Sequence, residues 1–198
     1  MSQAANTDFS RYPVPDLNEL PDDLKQMVLK IQEKTGFIPN VFLAKAHRPE
    51  ELRAFSVYHD ALMYRESVLT KAEIEMIVVA TSGENNCLYC VIAHGAILRI
   101  RAKHPLLADQ IATNYRKADI TPRQRAMLDF AVKVTNDSAA LGEADFAALH
   151  ECGFNDEDIW DIGSIAAFFA MSNRMANLVG IKPNAEFYSM GRDIPLPE

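Results

Sequence analysis

The sequence predicts an all-α protein, because apolar residues recur at helical spacing in one stretch after another, with helix-capping signals between those stretches. The first such stretch contains Leu24, Met27, Val28 and Ile31. Prolines, glycines and asparagines separate it from the stretches that follow, as expected for short connections between helices. With 198 residues, 48% of them hydrophobic, the chain is long enough to bury one sizeable core.

Residues 1–20 are predicted to form an extended arm. Pro13 and Pro21 each fix the backbone φ angle and lack an amide donor, so a helix can begin only near Pro21, a residue favoured in the first turn. We expect a single all-helical domain over residues 21–182 and a C-terminal tail over residues 183–198.

The segment from Thr35 to Asn40 contains Gly36 and Pro39 and is predicted to end the first helix. A second amphipathic stretch follows, with apolar residues such as Leu52 and Phe55 at helical spacing. It is predicted to form another helix that buries one face.

Two capping boxes mark the starts of later helices. In Thr70–Glu73 and again in Thr121–Gln124, each side chain can bond the backbone amide of the other residue. Between them, Asn86 is predicted to be the N-cap of a helix that runs from Cys87 to about Arg101. Further along, glycines at 142 and 153 bracket a short helix, and a final long helix is predicted to start near position 155.

Composition excludes several classes of function. The net charge of −7, the pI near 5.3 and the lack of a Lys/Arg cluster argue against nucleic acid or an anionic membrane as a partner. The segment Met1–Ser10 is polar, and the apolar runs fall far short of the ~20 residues that span a membrane. We therefore expect no secretion signal and no membrane span, a cytoplasmic location and a small neutral substrate.

The residues that carry chemistry lie between positions 75 and 94. Cys87 and Cys90 form a CxxC pair, and His94 and Glu75 lie nearby in the sequence. Two thiols one helical turn apart can close a disulfide, while an imidazole and a carboxylate can take and return the protons that thiol chemistry requires. This pattern predicts a redox centre.

The spacing of these residues requires a break in the helix. On one helix Cys87, Cys90 and His94 fall within a sector about 60° wide, so they share a face. In a single unbroken helix, however, Glu75 would lie about 18 Å from Cys87. A turn near Asn86 would create two antiparallel helices and bring Glu75 back to orient the imidazole.

A zinc site is the main structural alternative for the CxxC pair. Zinc prefers four ligands, and beyond Cys87, Cys90 and His94 only Glu75 or Cys152 could supply the fourth. Cys152 itself is interpreted as a packing residue. We interpret His59 in the same way, although its position on a mainly apolar face would also let it line a pocket.

The pattern Glu75-x11-Cys87-x2-Cys90-x3-His94 resembles the signature of AhpD-like alkylhydroperoxidases, in the carboxymuconolactone decarboxylase superfamily. The Gly-Phe-Ile-Pro-Asn segment at residues 36–40 and the length near 200 are similar to the branch called uncharacterised peroxidase-related proteins. The resemblance covers roughly residues 37–177.

This resemblance implies an AhpD-like helical fold, assembly into homo-oligomers (trimers or hexamers), and antioxidant thiol peroxidase activity with no cofactor. It implies that Cys90 is the peroxidatic cysteine and Cys87 the resolving one, with His94 and Glu75 as the proton relay. The best-studied relatives have a histidine immediately before the second cysteine. Here that position is Tyr89, and a phenol titrates too high to relay protons readily near neutral pH, so we expect a three-membered relay.

Three functions therefore remain to be compared. The first is a thiol peroxidase that takes a small hydroperoxide and is reduced by a thiol or lipoyl-type electron-donor protein. The second is a disulfide oxidoreductase that uses the same CxxC pair on a protein or lipoyl disulfide. The third is a non-enzymatic helical oligomer whose CxxC pair binds zinc or senses oxidants.

Overall fold

The computed structural model describes residues 8–194 and confirms the all-α class. The α-helices in this part of the chain are α1 (Asp22–Thr35), α2 (Asn40–Lys45), α3 (Pro49–Met63), α4 (Lys71–Glu84), α5 (Leu88–Ala102), α6 (Leu107–Asn114), α7 (Pro122–Asp137), α8 (Glu143–Glu151), α9 (Asp156–Val179) and α10 (Glu186–Ser189). Short 3-10 turns lie at Leu17–Glu19, Tyr115–Lys117 and Ser138–Ala140. None of the helices within residues 8–194 is both long and apolar enough to cross a bilayer.

Helix α4 is the centre of the fold and packs against α5, α6, α7 and α9. Every residue from Glu73 to Ser82 is buried, so this helix has no solvent-facing side along most of its length. The predicted capping box is present at its start: the Glu73 amide donates to the Thr70 hydroxyl over 3.1 Å, and the Thr70 amide donates to the Glu73 carboxylate over 2.9 Å. The second predicted box, at the start of α7, is present as well.

The connection from α4 to α5 differs from the prediction at one residue. Asn86 was expected to cap α5, but its φ of 49° is left-handed, and Cys87 is the N-cap. The Cys87 amide donates to the Ser82 carbonyl and the Asn86 amide to the Gly83 carbonyl, each over 3.0 Å. This pair of bonds is a Schellman motif, in which a left-handed asparagine ends the preceding helix instead of beginning the next.

The buried side chains form a large core and a smaller one beside it, apart from a third cluster of four residues, Leu20, Leu24, Ala46 and Leu52. The large core is built mainly from α4, α7 and α9, with contributions from α3, α5 and α6. The smaller one joins α2, α5, the end of α9 and α10, and it contains both cysteines of the CxxC pair. The predicted redox motif therefore lies in an apolar environment at the edge of the main core.

Both ends of the described chain are attached to the helical body. In the arm, the Arg11 amide donates to the Val179 carbonyl over 2.8 Å. In the predicted tail, α10 buries Phe187, and the guanidinium of the buried Arg99 donates to the carbonyls of Phe187 and Met190. Residues 1–7 of the predicted arm and 195–198 of the predicted tail lie outside the described residues.

Candidate functional site

The first cysteine of the CxxC pair begins α5. Cys87 is the N-cap, and its Sγ accepts the backbone amide of Cys90 over 3.4 Å, as an Asp or Ser oxygen would at this position. Both side chains are buried, with 0% of Cys87 and 3% of Cys90 exposed. The Cys87 sulfur thus lies where the helix dipole and a free amide both favour a negative charge.

The two thiols share their protons unequally. A hydrogen bond from the Cys90 thiol, aided by the Cys90 amide and by the nearby His94, lowers the pKa of Cys87 to about 7. Donation of its proton to Cys87, together with burial, raises the pKa of Cys90. Cys87 is therefore the first of the two thiols to ionise as the pH rises, and the negative charge of the singly ionised pair rests mainly on its sulfur.

The structure brings Glu75 and His94 together, as the predicted antiparallel pair of helices requires. His94 Nδ1 lies 2.8 Å from Glu75 Oε2, and the carboxylate is 1% exposed. The imidazole also packs edge-on against Phe169, with ring centroids 4.8 Å apart. A buried carboxylate in this position fixes the tautomer and orientation of the imidazole.

Arg101 is part of the same network and was not predicted. Its guanidinium lies 2.9 Å from the second oxygen of Glu75, so the carboxylate bridges two residues of α5. The buried charge of Glu75 is thereby paired on both oxygens, as a charge in an apolar core requires. Arg101 lies seven residues after His94, a spacing that places both on one helix face and would have revealed it.

Asn173 is the second residue that sequence reasoning missed. It lies on α9, is fully buried, donates to the Ser82 hydroxyl over 2.9 Å and accepts from the Asn85 side chain over 3.2 Å. Its amide also lowers the pKa of both thiols. No local pattern could have indicated it, because Asn173 is more than eighty positions away from the CxxC pair in the sequence.

Two other residues named from the sequence are now placed. The Tyr89 hydroxyl accepts the Val41 amide over 3.4 Å, and burial raises the pKa of this phenol, so Tyr89 joins α5 to α2. His59 bonds Asp60 and packs among aromatic rings that include Phe169, the ring against which His94 also packs. Burial lowers the pKa of His59 and so favours its neutral form.

The remaining cysteine lies apart from the redox pair. Cys152 is at the C-terminal end of α8, half-buried, and packs against the large core, whereas Cys87 and Cys90 belong to the smaller one. Within residues 8–194, no three Cys, His, Asp or Glu side chains are grouped closely enough to hold a metal ion.

The chain is similar in sequence and in fold to known proteins. The family model described as "Carboxymuconolactone decarboxylase family" matches residues 49–105, which contain the four residues of the motif. The sequence matches no curated protein. The fold, however, is shared with several solved structures.

An uncharacterised peroxidase-related protein from Ralstonia eutropha JMP134, described as an alkylhydroperoxidase AhpD core, is 64% identical, with a TM-score of 0.94. That alignment covers 96% of this chain and 100% of the other. A peroxidase-related protein from Silicibacter sp. TM1040 is 43% identical over 94% of this chain and 97% of its own, with a TM-score of 0.89.

A more distant structure, the debrominase Bmp8, has a TM-score of 0.74 at 20% identity, over 96% of this chain and 99% of its own. At that identity it shows the fold alone. The two closer relatives cover nearly the whole chain. The protein therefore belongs to the AhpD-like proteins of the carboxymuconolactone decarboxylase superfamily.

Proposed function

We propose that the protein is a thiol-dependent peroxidase that reduces small hydroperoxides at the Cys87–Cys90 pair and contributes to antioxidant defence. The observation that carries this proposal is the hydrogen bond of 2.8 Å between Glu75 and His94, next to a CxxC pair whose first sulfur caps a helix. The arrangement supplies a nucleophilic sulfur, a second sulfur to resolve it and a group to move protons.

The first step is attack of the Cys90 thiolate on the terminal oxygen of the hydroperoxide. Before attack, the Cys90 proton passes to Cys87, which already accepts its hydrogen bond. The S–O bond forms as the O–O bond breaks, and the departing alkoxide takes a proton from the relay of His94 and Glu75. The sulfur is oxidised to a sulfenic acid and the hydroperoxide is reduced to an alcohol.

In the second step, Cys87 gives up the proton that it took from Cys90 to His94, whose imidazole is neutral after the first step, and the resulting thiolate attacks the sulfenic acid sulfur. The S–S bond forms as the S–O bond breaks, and the hydroxyl takes that proton from His94 and leaves as water. A disulfide now joins Cys87 and Cys90. It closes a small loop, so it constrains the unfolded chain little and suits repeated formation and reduction. A dithiol donor, a thiol or lipoyl-type protein of the cytoplasm, then supplies two electrons and two protons to restore both thiols.

The second candidate, a disulfide oxidoreductase, uses the same pair, because its reduced form can equally attack a protein or lipoyl disulfide. Steady-state assays with a panel of electron donors, comparing an organic hydroperoxide with a protein disulfide, separate the two. We expect the hydroperoxide to give the larger kcat/KM. A larger value for the disulfide would make the protein an oxidoreductase instead.

The non-enzymatic alternative is tested by the metal content of the purified protein. About one tightly held zinc ion per chain, with both thiols protected from alkylation, would support a structural zinc site. We expect two titratable thiols at the CxxC pair and no stoichiometric metal.

We also propose that the chain assembles into a homo-oligomer, as a trimer or hexamer. Several large apolar side chains of α3 and α9 are exposed, including Val57, Tyr58, Trp160, Met171 and Leu178. The described parts of the arm and tail are bonded to the body, so the proposal rests on these exposed side chains. Light scattering at micromolar concentration should give a multiple of 22.1 kDa, and the monomer mass would refute the proposal.

A further inference from the structure

Lys45 is a partly buried cation that the mechanism above does not use. It ends α2, and no carboxylate within residues 8–194 lies at ion-pair distance from its ammonium group. The ammonium instead lies over the ring of Phe55, with Nζ 4.0 Å from the ring centroid. Because burying a charge without an ionic partner is unfavourable, this lysine requires an explanation.

Helix α2, which ends at Lys45, packs against the helix that carries the redox pair. The Val41 amide donates to the Tyr89 hydroxyl, which fixes α2 against the helix that carries both cysteines. Ala44, the neighbour of Lys45, packs in the same small core as Cys87 and Cys90. The cation–π contact with Phe55 holds the ammonium group in place.

A different cationic group affects each of the two sulfurs. His94 lowers the pKa of Cys87, whereas Lys45 lowers the pKa of Cys90. Burial lowers the pKa of Lys45 itself, and negative charge on Cys90 raises it, with a smaller contribution from Glu51. The charged form of Cys90 is thus the principal counter-charge that this ammonium has.

We propose that Lys45 is a positioning residue of the redox centre, whose ammonium group draws the shared negative charge from Cys87 onto Cys90, the sulfur that attacks the hydroperoxide. This inference rests on the proposed function for the identity of the attacking sulfur. The electrostatic effect of Lys45 on Cys90 does not depend on the proposed function, because it concerns only which sulfur holds the negative charge. The ammonium group of Lys45 has no permanent ionic partner, because its principal counter-charge is the Cys90 thiolate, which forms only when Cys90 loses its proton.

The test uses two replacements of Lys45. Lys45→Met removes the charge but keeps a long, flexible, apolar side chain, and Lys45→Arg keeps the charge. The larger guanidinium has room, because Lys45 lines a cavity of about 230 Å³. Lys30→Met, on the exposed face of α1, is the matched control for loss of one lysine charge.

Each replacement is made in a chain with Cys87→Ser and Cys152→Ser, so that Cys90 is the only thiol. Serine is a preferred N-cap, so α5 stays capped. The rate of alkylation by iodoacetamide is measured against pH. We expect Lys45→Met to raise the midpoint of Cys90 by about one pH unit, the lower end of the effect of a close opposite charge. Lys45→Arg and Lys30→Met should leave the midpoint within a few tenths of a unit.

A melting curve of each variant distinguishes electrostatics from packing. Removing a partnerless buried charge should leave the melting temperature of Lys45→Met unchanged or higher, so a slower thiol in an equally stable protein has an electrostatic cause. With the native cysteines present, Lys45→Met should also consume hydroperoxide about 10-fold more slowly, because one pKa unit corresponds to a factor of ten.

The outcomes separate the two claims. If the wild-type protein consumes hydroperoxide and the Cys90 midpoint is the same with Lys45→Met, the role of Lys45 is wrong and the peroxidase proposal stands. If the midpoint rises as expected but the wild-type protein consumes no hydroperoxide with any donor, the electrostatic role stands and the peroxidase proposal fails.

Discussion

Replacement of Cys90 by serine should abolish hydroperoxide consumption, leaving only the background rate of the assay. The serine hydroxyl is too weakly acidic and nucleophilic to attack the peroxide oxygen in place of a thiolate. Replacement of Cys87 by serine should have a different effect: the first oxidation proceeds, but the sulfenic acid on Cys90 has no resolving thiol and accumulates. Mass spectrometry after dimedone trapping, alongside the peroxide assay, measures both results.

Cys152→Ser is the matched control, because this thiol packs against the large core, apart from the redox pair. Its hydroperoxide consumption should equal that of the wild type. Unchanged turnover in both Cys90→Ser and Cys87→Ser would contradict the proposed chemistry. If the dimedone adduct forms on Cys87 in Cys90→Ser while Cys87→Ser is inert, the two cysteines have exchanged roles.

Loss of His94 or of the Glu75 carboxylate should slow hydroperoxide turnover by about 10²-fold each, the usual scale for removing one proton-transfer group. His94→Ala removes the imidazole itself and its electrostatic effect on the pKa of Cys87. Glu75→Gln leaves the imidazole in place but removes the carboxylate that orients it, and leaves Arg101 without its partner. His94→Ala should therefore slow thiol alkylation at pH 7 more than Glu75→Gln does.

The pH dependence of alkylation provides the baseline for that comparison. In the wild type, the first thiol should become reactive as the pH rises through about 7, the pKa of Cys87, because only the thiolate is nucleophilic. His94→Ala should move this midpoint upward. If Cys87 and Cys90 both had alkylation midpoints near the unperturbed ~8.5 in the wild type, and these midpoints were unchanged in the two variants, His94 and Glu75 would be ordinary packing residues.

Two substitutions control for nonspecific effects. Glu84→Gln changes an exposed glutamate at the end of the same helix as Glu75, and His150→Ala removes an exposed histidine on α8. Both should keep wild-type turnover. Circular dichroism of Glu75→Gln shows whether the loss of a buried ion pair has unfolded the chain. If it has, the alkylation rate of His94→Ala is compared with that of the wild type alone.

The central contact of the site was predictable, because local signals determine it. The break after α4 and the helical spacing of Cys90 and His94 were both visible in the sequence. Together they require Glu75 to return to the imidazole, and the distance of 2.8 Å confirms the contact. The role of Asn86 was misassigned, because asparagine both caps helix starts and adopts the left-handed conformation that ends a helix.

Residues that reach the site from distant parts of the chain were not predictable. Asn173 on α9 and the helix α2 that carries Lys45 lie near the CxxC pair only because of how the helices pack, and no spacing in the sequence encodes that arrangement. The attachment of residues 183–194 was missed for the same reason: Phe187 becomes buried, and the backbone around it accepts the Arg99 guanidinium, only once α5 is in place.

A single-turnover reaction tests the central claim most directly. The reduced protein is mixed with one molar equivalent of an organic hydroperoxide, and the alcohol, the free thiols and the position of any disulfide are measured together. We expect one alcohol per chain, loss of the two thiols of Cys87 and Cys90 as an internal disulfide, and retention of the Cys152 thiol. Unreacted hydroperoxide with all three thiols still free would contradict the proposed function.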